Sequence, residues 1–151
     1  MKAQTVFSSP LGMLEITEED GAIVSILFVS SSTPPTPPST PLLSKAKKEM
    51  EEYFRGERSS FTLPLSPKGT PFQKKVWEIT STIGYGETKS YGEIAEIMGS
   101  KAYRAIGSAL GANPLPIVIP CHRVKAKASI GGYSGGLDKK RILLSIEGIK
   151  A

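Results

Sequence analysis

The stretch SYGEIAEIMGSKAYRAIGSALGAN, residues 90–113, contains two short helical patterns separated by a glycine turn. Ser90 is a favourable N-cap for a first helix over residues 91–98, and Gly99 then turns the chain. A second helix is predicted over residues 101–110. Two helices of this length and spacing have the proportions of a helix-turn-helix unit, although a generic helical hairpin fits the pattern equally well.

The second of these helices is rich in Ala, Gly and Ser. Small side chains let a helix approach a surface closely, and low bulk suits a helix that meets a DNA backbone with its own N–H groups. A helix that only fills a core usually carries more Leu and Ile, and two basic side chains accompany the small ones here. We therefore predict DNA contacts from this segment, at Lys101, Ala102, Arg104 and Gly107.

The chain before this unit has a different pattern. Residues 1–29 contain three short strand-like segments, AQTVFS, GMLEIT and AIVSILFV, whose short turn-forming links predict an antiparallel meander. The segment SSSTPPTPPSTP, residues 30–41, has five prolines and no apolar side chain to bury, which predicts a solvated linker. Apolar residues at helical spacing predict an amphipathic helix over residues 42–55.

A polar, proline-containing stretch at residues 59–69 separates this part from the helices that follow. The fold class predicted is therefore α+β, with an amino-terminal domain over residues 1–66 that includes the proline-rich loop 30–41. A helical carboxy-terminal domain is predicted over residues 67–151, and its first helix begins at the Thr70-Pro71 cap.

Composition limits the classes of function. The chain of 151 residues has a net charge of +5 and a pI near 9.3, which suits a polyanionic partner but is also common in proteins without one. No apolar run approaches the length of a membrane span, and the first ten residues lack the features of a secretory signal, so we expect a cytoplasmic protein with no membrane partner. One cysteine and one histidine cannot make a structural zinc site, and we expect no metal and no cofactor.

IPCHRV, residues 119–124, holds the only cysteine and the only histidine of the chain. A lone cysteine is usually a small buried hydrophobe, but Cys121 is followed by His122 and Arg123, and cationic surroundings lower the pKa of a thiol. Neighbours on an extended segment point to opposite faces, so His122 is expected to reach the thiol across a turn or through a water. Such a base also needs a carboxylate to hold its tautomer, for which Asp138 and Glu147 are both candidates.

NPLPIVIPCHRV, followed by GGYSGGLDKKRILLSIEG, resembles the active-site signature of the O6-alkylguanine-DNA alkyltransferases. SYGEIA and AYRAIGSALGANP resemble the DNA-binding unit of that family, and the resemblance is close over residues 71–148. It implies a ribonuclease H-like antiparallel lobe followed by a winged-helix or helix-turn-helix lobe. It also implies a monomer that acts on double-stranded DNA containing O6-alkylguanine or O4-alkylthymine, without a cofactor.

The resemblance also implies roles for single residues. Cys121 would accept the alkyl group, and His122 would be its base, acting through a water and oriented by Glu147. Arg104 would enter the duplex in place of an extruded nucleotide, and Tyr91 would rotate the phosphate and protonate the leaving guanine. Further residues implied are Asn113, which braces the site; Arg123, which contacts DNA; and Tyr133, Ser134, Met98 and Pro116, which line the base pocket.

Because the product is a thioether that nothing in the site can cleave, each molecule is expected to act once. Two other functions remain open from the residues alone. The first is a lesion-binding module in which Cys121 is inert, and the second is a cysteine hydrolase that uses Cys121 with His122 and turns over repeatedly.

Overall fold

The computed structural model describes residues 1–126, 131–133 and 135–149. The chain divides into two compact units, Met1–Lys68 and Gly69–Ala151. The first unit is a small sheet covered by one helix, and the described part of the second contains four α-helices and two paired strands of two residues each. The predicted α+β class is confirmed.

The sheet of the first unit has three antiparallel strands in the order β1-β2-β3: β1 Lys2–Ser9, β2 Gly12–Glu19 and β3 Ala22–Val29. The second hairpin turns at Asp20 and Gly21, both with positive φ, as a tight two-residue turn that matches the twist of the strands requires. Helix α1, Pro41–Phe54, begins at the N-cap Thr40 and packs on β1 and β2. The apolar side chains between the helix and the sheet are fully or almost fully buried: Leu14, Ile16, Ile23, Ile26, Leu43, Met50 and Tyr53.

The composition of the proline-rich segment predicted a solvated linker, but the segment is only partly solvated. Thr36 pairs with β1: its N–H donates to the Val6 carbonyl at 3.0 Å, and its side-chain Oγ1 accepts the Val6 N–H at 3.0 Å. Its carbonyl also accepts the Thr5 hydroxyl at 2.8 Å. The segment therefore covers backbone groups that β1, an edge strand, would otherwise expose.

In the second unit, α2 spans Pro71–Thr80, α3 spans Tyr91–Met98 and α4 spans Tyr103–Gly111. Strands β4 Lys89–Ser90 and β5 Val124–Lys125 pair in parallel, and α5 spans Leu137–Ile146.

The predicted pair of helices is present as α3 and α4. Ser90 and Glu93 form a capping box at the start of α3, and Gly99 ends it in the left-handed conformation with φ 64°. Helix α4 begins two residues later than predicted, because the N–H of Ala102 is held by the Ser100 hydroxyl and the turn continues to that point.

Trp77 holds α2 against α4. Its indole N–H donates to the carbonyl of Ala109 at 2.7 Å in a buried site. Ala109 is itself buried, and its small side chain is what lets the indole ring approach the α4 backbone this closely. Part of the small-residue character of α4 is therefore explained by packing, while Ala105 and Ser108 remain exposed.

No helix in the described part of the chain has the length and apolar character needed to cross a membrane.

Candidate active site

Cys121 is the first residue of a short 3₁₀ turn, Cys121–Arg123, and only 7% of it is exposed. A cavity of about 160 Å³ lies beside it, in the second unit. The described residues that line this cavity come from α3, α4, the turn and the segment before α5: Tyr91, Gly107, Leu110, Gly111, Cys121, Gly132 and Tyr133. The thiol is thus buried in protein but faces a space that a small group can enter.

Asn113, two residues after α4, braces the loop that leads to the cysteine. Its amide Nδ2 donates to the Ile119 carbonyl at 2.9 Å and to Cys121 Sγ at 3.1 Å, and its Oδ1 accepts the Leu115 N–H at 2.9 Å. The same loop contains Ile117 with φ 77°, an unusual conformation for a β-branched residue. Asn113 therefore connects the end of α4 to the sulfur directly.

Burial raises the pKa of the Cys121 thiol to about 12, against the opposing effects of the Asn113 hydrogen bond and the positive charge of Lys140. The expectation of a lowered pKa is therefore wrong for the resting protein. The prediction depended on Arg123, but its guanidinium contacts Glu147 and the Ile83 carbonyl. Desolvation is therefore the largest effect on the pKa of the thiol. The thiol is therefore protonated at neutral pH, and it becomes a nucleophile only when a base takes its proton.

His122 is buried and bonded through Nε2 to Glu147 Oε2 at 2.6 Å. Of the two carboxylates that the sequence left open, the structure places Glu147 at the imidazole, while Asp138 is fully exposed and lies 3.8 Å from Arg141. Burial lowers the pKa of His122, although Glu147 acts in the opposite direction. The ring is accordingly neutral at pH 7.

The side chain of Arg123 does not point to a surface where DNA could bind. It is 7% exposed, and its Nε and Nη2 donate to the two oxygens of Glu147 at 2.8 and 3.0 Å. Its Nη1 donates to the Ile83 carbonyl at 2.7 Å. The predicted DNA contact at Arg123 is wrong, since a fully engaged, buried guanidinium cannot reach a phosphate.

Lys140 is a buried cation near the thiol that the sequence reasoning missed. Its Nζ donates to the Val124 carbonyl at 2.6 Å and to the Gly132 carbonyl at 2.9 Å. Burial lowers the pKa of Lys140 to about 8, and only the thiolate form of Cys121 would oppose that shift. Helical spacing was the available signal, because Lys140 shares the buried face of α5 with Leu143 and Leu144.

Tyr133 and Tyr91 both line this cavity. The Tyr133 hydroxyl is buried without a hydrogen-bond partner among the described residues, and burial, with the charge of Cys121, raises the pKa of this phenol. The Tyr91 hydroxyl accepts the N–H of Gly132 at 3.3 Å, which ties the start of α3 to the segment before α5.

Other predicted pocket residues are placed differently. Met98 and Pro116 are not among the described residues that line the cavity. Ser134 lies outside the described residues.

The predicted DNA-contact residues of α4 and its preceding turn are accessible. Lys101, Ala102 and Arg104 are exposed, and Gly107 is half-buried at the cavity. A wider groove of about 750 Å³ runs between the start of α2 and the exposed side of α4, and Arg104 contributes to its wall. It contains no nucleophilic thiol, so the smaller cavity at Cys121 is the candidate for chemistry.

Charge is distributed unevenly along the chain. Residues 69–151 contain 12 Lys and Arg against 6 Asp and Glu, whereas residues 1–68 contain 7 against 8. The unit that carries the thiol and α4 therefore holds all of the net positive charge, as a unit that binds a polyanion would.

Within the described ranges, no group of three or more His, Cys, Asp or Glu side chains is arranged to hold a metal ion.

Comparison with known proteins agrees with these features. Residues 71–149 match the family model described as 6-O-methylguanine DNA methyltransferase, DNA binding domain, and residues 3–67 match the ribonuclease-like domain of the same family. The constitutive methylated-DNA–protein-cysteine methyltransferase of Bacillus subtilis is 46% identical over 161 residues, which cover 99% of this chain and 97% of that protein.

Solved structures are similar over almost the whole chain. The crystal structure of Mycobacterium tuberculosis O6-methylguanine methyltransferase has a TM-score of 0.87 at 36% identity and covers 100% of this chain and 95% of that one. The M. tuberculosis OGT in complex with DNA has a TM-score of 0.84 at 38% identity, covering 97% and 94%. The resemblance found in the sequence is confirmed, and this chain belongs to the 6-O-methylguanine DNA methyltransferase family.

Proposed function

We propose that this protein repairs DNA by direct reversal, transferring the alkyl group of O6-alkylguanine from DNA to Cys121. One observation supports this above the others: a buried thiol that Asn113 contacts opens onto a cavity bordered by the exposed, small-residue helix α4. A buried structural cysteine has no need of such a cavity. The relatives named as methylated-DNA–protein-cysteine methyltransferases and the DNA complex of a relative point to the same activity.

The first step is access to the base. An alkylated guanine cannot reach a buried thiol from within a stacked duplex, so the nucleotide has to be extruded, at a cost of a few kcal/mol. Arg104, exposed on α4, would fill the space that the base leaves, and the small residues around it allow the helix to lie close to the backbone. Tyr91 would guide the phosphate at the mouth of the cavity.

The second step is the transfer itself. The proton of the Cys121 thiol passes to His122, through a water, and Glu147 stabilises the imidazolium that results. The thiolate then attacks the alkyl carbon as the bond from that carbon to O6 breaks, and the electron pair leaves with the guanine, which takes a proton from Tyr91. A new C–S bond forms, and each molecule is used once.

The site needs one chain only, since every described residue assigned to it lies between residues 69 and 149. We therefore propose that a monomer is sufficient. A cytoplasmic location follows from DNA as the substrate, and O4-alkylthymine is proposed as a second, related substrate because its alkyl group also sits on an exocyclic oxygen.

The test is a stoichiometric titration. The protein is incubated with a duplex oligonucleotide that contains one O6-methylguanine, and the intact protein and its peptides are weighed by mass spectrometry. We expect a plateau at one methyl group per molecule, located on Cys121, and none with an unmodified duplex. Cys121→Ala should keep DNA binding and gain no methyl group.

Two results would reject the proposal. A protein that binds the lesion but leaves Cys121 unmodified is a lesion-binding module. Repeated release of product without modification of Cys121 indicates a turnover enzyme such as a hydrolase. A parallel titration with an O4-methylthymine duplex decides whether the second substrate is accepted.

A further inference from the structure

Among the described residues, His122, Arg123 and Gly86 donate hydrogen bonds to the carboxylate of Glu147. Oε2 contacts His122 Nε2 at 2.6 Å and Arg123 Nη2 at 3.0 Å. Oε1 contacts Arg123 Nε at 2.8 Å and the N–H of Gly86 at 3.1 Å. Each oxygen therefore accepts from two of these donors.

This arrangement fixes the tautomer of His122. An arginine fork that donates to both oxygens requires Glu147 to be ionised, and an ionised carboxylate has no hydrogen to donate to the imidazole. Nε2 therefore carries the hydrogen, and Nδ1 is the nitrogen whose lone pair can accept a proton.

The same group of residues also determines the charges around the imidazole. Glu147, at the end of α5, brings one negative charge, and Arg123, in the same turn as His122, brings one positive charge to both of its oxygens. Lys140, on α5, adds a second positive charge. Burial, Arg123 and Lys140 each lower the pKa of His122, and Glu147 alone raises it.

Arg123 is itself held firmly. Its third guanidinium nitrogen donates to the Ile83 carbonyl at 2.7 Å, and the guanidinium lies 5.8 Å from the centre of the Tyr85 ring. Residues 83–86 thus contact both members of the ion pair, because Gly86 donates to Glu147. A buried guanidinium with three protein acceptors keeps a constant position as the reaction proceeds.

We infer that Arg123 is a positioning residue for the proposed transfer: it orients and neutralises Glu147, so that His122 rests as the neutral Nε2–H tautomer and can take the Cys121 proton on Nδ1. Without this charge, Glu147 would stabilise an imidazolium in the resting protein, and a protonated imidazole cannot act as the base. The inference rests on the proposed function for its catalytic meaning, but the state of His122 can be measured without any transfer reaction.

His122 is the only histidine of the chain, so nuclear magnetic resonance of tag-free, ¹⁵N-histidine-labelled protein reports this residue alone. We expect the Nε2–H tautomer and a pKa for His122 below the ordinary value of about 6.5. Arg123→Gln should raise that pKa by at least about one unit, the size of shift that a close charge produces. Arg123→Lys, which keeps the charge, should move it by less than about half of that.

The control is Arg141→Gln, which removes one positive charge from the exposed side of α5 and should leave the His122 titration in place. The second readout is the pH profile of methyl transfer under single-turnover conditions. Its acid limb should move to higher pH in Arg123→Gln and return in Arg123→Lys, whereas a purely structural role would lower the rate equally at every pH.

A wild-type pKa at or above about 6.5, an Nδ1–H tautomer, or an unchanged titration in Arg123→Gln would each overturn the inference. If Arg123→Gln does not fold, the wild-type titration and tautomer still decide. A correct titration combined with no methyl transfer would reject the proposed function and leave the electrostatic role of Arg123 standing.

Discussion

Replacing Asn113 by alanine should weaken both the fold and the reaction. The change removes the acceptor of the Leu115 N–H, a fully buried group, and leaving a buried donor unsatisfied costs about 1–3 kcal/mol. It also removes the bond to the Ile119 carbonyl, worth about 0.5–1.5 kcal/mol, although that carbonyl keeps the Cys121 N–H. The free energy of unfolding should therefore fall by about 1.5–4.5 kcal/mol, or roughly 1–2 M in the urea midpoint.

The rate of transfer should fall separately. Asn113 donates to the sulfur, and a hydrogen bond to a charged acceptor contributes about 1.5–3 kcal/mol, so losing it from the developing thiolate slows methyl transfer about 10- to 150-fold. This rate is measured by single-turnover kinetics without urea, at a temperature where the variant is folded. Ser100→Ala, which removes one exposed hydrogen bond to a backbone N–H, is the control. A destabilised Asn113→Ala that reacts at the wild-type rate would show that the asparagine supports the loop and does nothing for the sulfur.

Three other predictions concern the same unit. Arg104→Ala should slow repair of duplex DNA far more than reaction with a free O6-alkylguanine base, since only the duplex requires extrusion; equal losses in single-turnover rates would remove that role. Gly131→Ala should impair transfer, because φ is +74° and a Cβ would lie 3.0 Å from the Tyr91 hydroxyl, whereas Gly132→Ala, with no described atom within 4 Å, should not. The pKa of Lys140 falls from 10.5 to about 8 on folding, so between these values the unfolded chain holds a proton that the native protein has lost, and native stability rises with pH there. The raised pKa of Cys121 makes native stability fall as the pH rises above about 9, in the wild type and in Lys140→Met alike. The stability of the wild type relative to Lys140→Met, measured by denaturation from pH 8 to 10, should therefore rise with pH.

The local elements were predictable because each carries its own signals. Strand β3 and the turn at Asp20 and Gly21 follow from an apolar run and turn-forming residues, and the capping box of α3 is visible in the sequence as Ser90 and Glu93. What sequence patterns did not predict are contacts between distant residues. Thr36 pairs with a strand 30 residues away, which no composition of the linker reveals.

The prediction of the electrostatics of the site failed for the same reason. Proximity in sequence suggested that Arg123 would lower the pKa of the thiol, but the partner of Arg123 is Glu147, 24 residues later. Lys140, the cation that does act on the sulfur, comes from α5. The pKa of a buried group depends on everything that displaces water from it, and that is a property of the assembled core.

The high pKa of the buried thiol bears on how long the protein lasts before it is needed. A thiolate is the form that peroxides and other oxidants attack, and a thiol is much less reactive. A sulfur that can be spent only once has to survive the ordinary chemistry of the cell unspent. Because Cys121 is protonated and enclosed, it is oxidised slowly, and the molecule stays reactive until an alkylated base enters the cavity beside the sulfur.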